Sequence, residues 1–470
     1  MNYWKQFQLS KFSKVRVIEI FHASRLWYAS TFYPVPLEMK KELQTEFKNY
    51  VNFPRASNPT VSEAEMKKLR LDGGLKLIDI QTKIDTARAM WLMNLVQNPE
   101  LSAHLSLINI LVGTQKGGRL ASDIVFTNSF YCNKLLKITH SEFYAEGFKA
   151  TAKLSLNKKI IDLRSKIFFY NPIFIDENLK TLPIPNRCEK QEVYTYGQVA
   201  DEYTKMCNNL PHKKYISNVY SRVSHFDIHG KVNNTIFLTS IQAQISFNVA
   251  THKQVYEELL QQNYVDHHSA EKWNIRFGNM DIDWAKVWKS LNNPITTDVV
   301  KTTIWEQIHL NDYCTYSYNK WHKQTDVCPL CSTIPNSRFH LTLECETTIK
   351  LWDDLQDKLM YLVRTPVTDY EKVFGLPGVT PNIILRNWLT FNLRHCIVQQ
   401  EAVAYYNKKG TLNTADIKQL FNIEIKSKIM EKYRIYRNLN RYDYFIKIFA
   451  VDNILIAWEN NWWQVLTLYQ

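Results

Sequence analysis

Along VRVIEIFHASRLWYAS, apolar residues recur at every third or fourth position, as on a helix with one buried face, and the run stops before Pro34 and Pro36. LEMKKELQTEFKNYV sets Leu37, Leu43, Phe47 and Tyr50 on one face with charges opposite, so a second helix is expected. NFPRASNP reads as a loop. DGGLKLIDIQ brings a turn at Gly73 and Gly74 and then a short alternating run. IDTARAMWLMNLV resumes helical spacing through Ile84, Ala87, Trp91 and Leu95.

Between residues 106 and 270 the pattern weakens. LSLINILVG and FYCNKLLKIT are apolar enough for core segments, and NPIFIDENLKTLPIPN reads as an extended, proline-punctuated connection. NNTIFLTSIQAQISFNV fits either strand or helix. Helical spacing returns in MDIDWAKVWKSL, with Trp284, Val287, Trp288 and Leu291 on one face, and in VVKTTIWEQIHL. ETTIKLWDDLQDKLMYLV carries Ile349, Trp352, Leu355 and Leu359 as its stripe. The chain reads as helical onward from NIILRNWLTFNLRHCIVQQ to AWENNWWQVLTL. The expected class is mainly α: several helical subdomains with one small zinc-binding module. The expected divisions are 1–105, 106–270, 271–362 and 363–470.

Composition sharpens this picture. With 12 Gly and 15 Pro in 470 residues, breakers are scarce, which favours long helices over a many-turned β architecture. A hydrophobic share of 45% is that of a folded chain. The formal charge of +13 favours a polyanionic partner, because each neutralised phosphate releases condensed counterions. Nucleic acid is the first candidate, an anionic membrane surface the second, and a basic soluble protein without such a partner the third. The N-terminus lacks the apolar core of a signal peptide. The most apolar window, YFIKIFAVDNILIAWENNWW, contains Lys447, Asp452 and Glu459, so no membrane span is expected. Cys132, Cys188, Cys207, Cys314 and Cys396 are scattered, as in a protein with reduced intracellular thiols.

The remaining three cysteines are not scattered. CPLCSTIPNSRFHLTLEC has the spacing Cys-x2-Cys-x8-His-x4-Cys. A CxxC turn can aim two sulfurs at one ion, and Pro329 favours such a turn by fixing its own φ. Cys328, Cys331, His340 and Cys345 would complete a tetrahedron of three thiolates and one imidazole, a set typical of a single structural Zn2+. Two other readings stand beside it. The residues can be a chance cluster without metal, or the CxxC can be a redox or catalytic pair, although no thioredoxin-like βαβ pattern surrounds it. Glu344 is the nearby carboxylate a catalytic zinc would call on.

Two stretches together resemble one family. From Trp284 to Leu355, the Trp-bearing helices and the pattern CPxC…HLxxxC…LW, on Trp288, Trp305, Cys328, Pro329, Cys331, His340, Leu341, Cys345, Leu351 and Trp352, look like the zinc-binding region at the C-terminal end of non-LTR (LINE-type) retrotransposon reverse transcriptases. The N-terminal stretch resembles the segment that follows the polymerase palm in the same polyproteins. It does so through Trp4, Leu9, Ser10, Tyr28, Pro34, Pro36, Gly73, Gly74, Leu75, Leu77, Ala87 and Trp91. The resemblance implies a thumb-like helical segment, then the zinc-binding domain, and a role in holding RNA template or target DNA.

The family's catalytic parts are not found. Asp353 and Asp354 form the chain's one Asp-Asp pair, and they sit on an amphipathic helix rather than in an aromatic-x-Asp-Asp hairpin that would hold two metal ions. GTQKGGRL lacks the GK[ST] of a phosphate loop. The expectation is therefore a non-enzymatic, intracellular and nuclear protein that binds RNA or DNA, with a polymerase domain on a separate chain as a further partner and no membrane. Lys320, Trp321, His322, Lys323, Arg338 and Lys350 surround the cysteines and could contact phosphates and stack on bases. A second candidate surface is the helix IKSKIMEKYRIYRNLNRYDYF, with Lys428, Lys432, Arg434, Arg437 and Arg441 on a cationic side. Ile425, Ile429, Tyr433 and Tyr436 form its apolar side. Two alternatives remain: a fragment of an RNA-directed DNA polymerase whose catalytic domain lies elsewhere, and a helical protein-interaction scaffold stapled by zinc.

Overall fold

A computed structural model describes residues 1–53, 61–97, 142–154, 235–238, 243–246, 249–261, 269–309, 327–333, 337, 339–406, 413–459, 462–466 and 468. The segments LSLINILVG, FYCNKLLKIT, GTQKGGRL and NPIFIDENLKTLPIPN lie outside these residues, as do Cys132, Cys188, Cys207 and Cys314. The described chain is mainly α-helical. None of its helices is long and apolar enough to cross a membrane. It divides into two units that do not follow chain order. One comprises Met1–Ile20, Glu46–Leu77 and Val265–Gln470, the other Phe21–Thr45 and Ile78–Tyr264. Residues 1–105 thus contribute to both.

The first unit is built around the helix Pro381–Tyr406. Proline suits its opening position, where no intrahelical N–H is needed. From Leu385 to Cys396 this helix is buried on every side, so its polar residues need internal partners. Arg386 pairs with Glu371 and also donates to the carbonyls of Leu359, Thr365 and Pro366. Asn387 brackets Leu376, accepting from its N–H at 2.7 Å and donating to its carbonyl at 2.8 Å. Arg394 donates to Gln307 and to the Val373 carbonyl.

The helices Glu346–Val363, Thr414–Asn438 and Tyr442–Phe449 share one core with this central helix. The stripe of Glu346–Val363 runs through Thr348, Leu351, Trp352, Leu355, Leu359 and Leu362, whereas Ile349 is exposed. The expected seam was therefore rotated: Leu351 at i−4 from Leu355 faces the core, and Ile349 does not.

The expected helices Trp284–Leu291 and Asp298–Ile308 are both present. Between Ser62 and Leu77 the chain makes a short capped helix and then a left-handed turn at Gly73, φ 85°. Trp305 Nε1 and His309 Nε2 meet the Gly73 carbonyl at 2.7 and 2.9 Å. The alternating run after it is not a strand, and Lys76 within it is left-handed at φ 63°. Leu75 and Leu77 are buried, and both donate their N–H to the Met66 carbonyl.

The C-terminal end departs from the helical expectation. Ile456–Glu459 and Trp462–Val465 form an antiparallel hairpin, with Glu459 opposite Trp462. Aromatic and β-branched residues in both segments, and only Asn460 and Asn461 between them, are the sequence signals for this outcome.

In the second unit, Ile80–Gln97 packs against Glu142–Lys153 and His252–Gln261. Arg88, buried, is bonded to Glu146 at 3.2 Å and to the Tyr33 carbonyl at 2.8 Å. Its guanidinium lies over the Phe143 ring at 3.9 Å. The NNTIFLTSIQAQISFNV region resolves to strand: Thr235–Leu238 pairs antiparallel with Ala243–Ser246. On Leu37–Asn52, Phe47 and Tyr50 are buried as expected, whereas Leu37 in the opening turn is exposed.

Candidate metal centre

The CxxC turn is closed by its own backbone. Cys328 N–H donates to the Thr333 carbonyl at 2.9 Å and Ser332 N–H to the Cys328 carbonyl at 2.8 Å, with Ser332 left-handed at φ 61°. The other two donors are brought together by a π-helical turn over His340–Glu344. In an α-helix, residues five apart are turned by about 140° from alignment. Bonding Cys345 N–H back to the His340 carbonyl at 2.6 Å widens the turn and swings the two side chains toward one side. Trp352 Nε1 holds that turn through the Thr342 carbonyl at 3.1 Å. Thr347 Oγ1 holds the CxxC turn through the Leu330 carbonyl at 3.0 Å.

The result is convergence. The ligand atoms of Cys328, Cys331, His340 and Cys345 all lie within 4.8 Å of one another. Zinc bonded to three sulfurs and one nitrogen sets neighbouring donors about 3.5–3.8 Å apart, so small side-chain rotations would close this set on an ion. Cys328 and Cys345 are fully buried, and Cys331 and His340 are half-buried. Cys331 Sγ is 3.1 Å from His340 Nε2. Four donors can hold one metal ion and fill a tetrahedron.

The electrostatics suit a thiolate at Cys345. The Cys328 thiol is pushed up by its hydrogen bond to Cys345 and by burial. Cys345 is pulled down, first by that same bond, then by the backbone N–H and hydroxyl of Thr348 and by Cys331. Cys345 is also the N-cap of Glu346–Val363, where helix-end N–H groups favour negative charge. The Thr348 hydroxyl is buried with no other partner among the described residues. An orphaned donor turned toward a sulfur fits a metal-bound thiolate. Glu344 is exposed and paired with Arg276.

Of the proposed nucleic-acid contacts, Lys320, Trp321, His322, Lys323 and Arg338 lie outside the described residues. Lys350 is exposed on Glu346–Val363. The cationic side of Thr414–Asn438 is split. Arg434 and Arg437, and Arg441 just beyond the helix, are exposed. Lys428 points inward: it is buried, with its ammonium 2.8 Å from Asn392 Oδ1 and 3.0 Å from Glu424. Lys432 is half-buried. Spacing by itself placed Lys428 with the arginines, but Asn392 on the central helix supplied a partner that no local pattern reveals. The π turn and the hydroxyls of Thr348 and of Thr333, the latter 2.7 Å from Cys331 Sγ, were likewise not anticipated, although the x4 gap between His340 and Cys345 is the gap such a turn needs.

No model of a known protein family matches this chain, and no curated protein matches its sequence.

Proposed function

We propose that this protein is a zinc-containing, non-catalytic nucleic-acid-binding protein of the kind found at the C-terminal end of LINE-type reverse transcriptases. The observation that carries the reading is the convergence of Cys328, Cys331, His340 and Cys345 at one point. They are four of the residues on which the resemblance rests, and Trp352, another of them, is buried in the same apolar cluster as Cys328 and Cys345. The ion is a single structural Zn2+, since the protein donors already fill its coordination. RNA or DNA is the partner that suits a net charge of +13 and the exposed Arg434, Arg437 and Arg441, and the nucleus is where such a partner is met.

Binding of labelled single-stranded RNA and of duplex DNA across a salt titration, beside metal analysis of the purified protein, tests this. One zinc per chain with steeply salt-dependent affinity is expected. Absence of affinity at low salt removes the nucleic-acid role, and a metal-free native protein removes the zinc.

A further inference from the structure

One cation in the first unit is buried and, among the described residues, has no direct partner. Lys301, on Asp298–Ile308, is 7% exposed, and among the described residues its ammonium has no hydrogen bond or ion pair. Unpaired buried lysines are rare because taking an ammonium out of water is costly. Burial lowers its pKa to about 8, Asp298 opposes that, and Arg70, Arg16 and Lys432 add to it.

The neighbours repeat the imbalance. Arg70 Nε is buried without a hydrogen-bond partner among the described residues, and its guanidinium stands over the Phe12 ring at 5.2 Å. Lys432 is half-buried and makes no ion pair among the described residues. Asp298 is the one carboxylate that acts on Arg70, Lys301 and Lys432 alike. It is already engaged, however, by Arg16 at 3.5 Å and by the Ser13 hydroxyl at 3.5 Å. Glu19 reaches only Arg70 and Glu431 only Lys432, both without contact. Arg16 leaves 55% of its side chain in solvent, so the cluster has an open side. The helix that carries Lys301 also begins here, and its N-cap Thr297 makes no side-chain capping bond.

Two guanidiniums and two ammoniums thus share Asp298, which Arg16 already occupies, and the side chains of Arg70, Lys301 and Lys432 have no hydrogen-bond acceptor of their own among the described residues. A tetrahedral oxyanion supplies several acceptor oxygens at once, and arginine forks suit its geometry. We propose that Arg16, Arg70, Lys301 and Lys432 form a phosphate-binding site. It is separate from the metal cage and stands whether or not the chain binds nucleic acid. The phosphate comes either from a free phosphate or nucleotide, or from a nucleic-acid backbone.

Thermal unfolding of the full chain and of Lys301→Met, with inorganic phosphate and separately with oligothymidylate, tests the site. In phosphate-free buffer Lys301→Met is expected to be at least as stable as the parent, since it removes an unbalanced buried charge. Phosphate is expected to raise the parent's melting temperature and to bind Lys301→Met at least about tenfold more weakly. Arg16→Gln, whose side chain is largely in solvent, should show the same loss to a smaller degree with the fold intact. A loss confined to inorganic phosphate assigns a free phosphate or nucleotide, and a loss extending to oligothymidylate assigns the backbone. Equal shifts in parent and variants, or no shift in the parent with either anion, overturns the site.

Discussion

His340 and Cys345 are joined through the backbone before any ion joins them through their side chains: the Cys345 N–H meets the His340 carbonyl at 2.6 Å. That π turn converts a five-residue separation, unsuitable on an α-helix, into two donors on one side. Cys345→Ser or Cys328→Ser should therefore remove the zinc and unfold the turn, read as zinc per chain and as loss of ellipticity. Thr348→Val should keep the ion but weaken it about tenfold, because only the hydroxyl beside the sulfur is lost. Competition against a chromogenic chelator measures this.

His395 gives a pH dependence independent of the metal. It is buried beside Thr303 Oγ1 at 2.8 Å, and burial, then Lys428, lower its pKa from 6.5 to about 4. The unfolded chain then binds the proton more readily, so this contribution is complete above pH 6.5. It is lost as pH falls toward 4, amounting to about 3 kcal/mol. Urea unfolding of parent and His395→Gln across that range should show a flatter profile for the variant. Parallel profiles would refute the assignment.

Gly73→Ala should destabilise the first unit by about 1–3 kcal/mol. The position is left-handed at φ 85°, and an added Cβ would stand 2.5 Å from the Trp288 indole. The variant would also disturb the carbonyl that Trp305 and His309 share. Differential scanning calorimetry checks this, with Gly278→Ala as a comparison at a left-handed position with open space around it.

The exposed arginines and the inward lysine should separate binding from stability. Arg434→Gln with Arg437→Gln should leave the melting temperature unchanged and lower the slope of log affinity against log salt by about 2 in total. Lys428→Met should do the reverse, destabilising the fold through the stranded Asn392 and Glu424 while leaving the slope alone. A salt titration beside a thermal melt distinguishes the two.

The convergence of the four candidate metal donors was legible in the sequence because their spacing is local and their chemistry rare. The helices Trp284–Leu291 and Asp298–Ile308 were legible through amphipathic spacing. Where a segment is buried all round, spacing carries no orientation: the central helix places Arg386, Asn387, Asn392 and Arg394 in the core beside Trp388 and Leu389. Their partners Glu371, Leu376, Lys428 and Gln307 come from other elements. Lys301 and Arg70 stayed hidden for the same reason, since charges from four chain segments meet there. The C-terminal hairpin was misread because short apolar runs fit helix and strand alike.

Cys328 and Cys345 pack into the same apolar cluster as Trp388, Phe421, Phe445 and Ile456. A metal ion held by the proposed site would thus be coupled to that shared core. Free zinc in the surroundings would then act as a thermodynamic ligand of folding, and a chelator as a denaturant whose reach extends to Ile456 in the C-terminal hairpin.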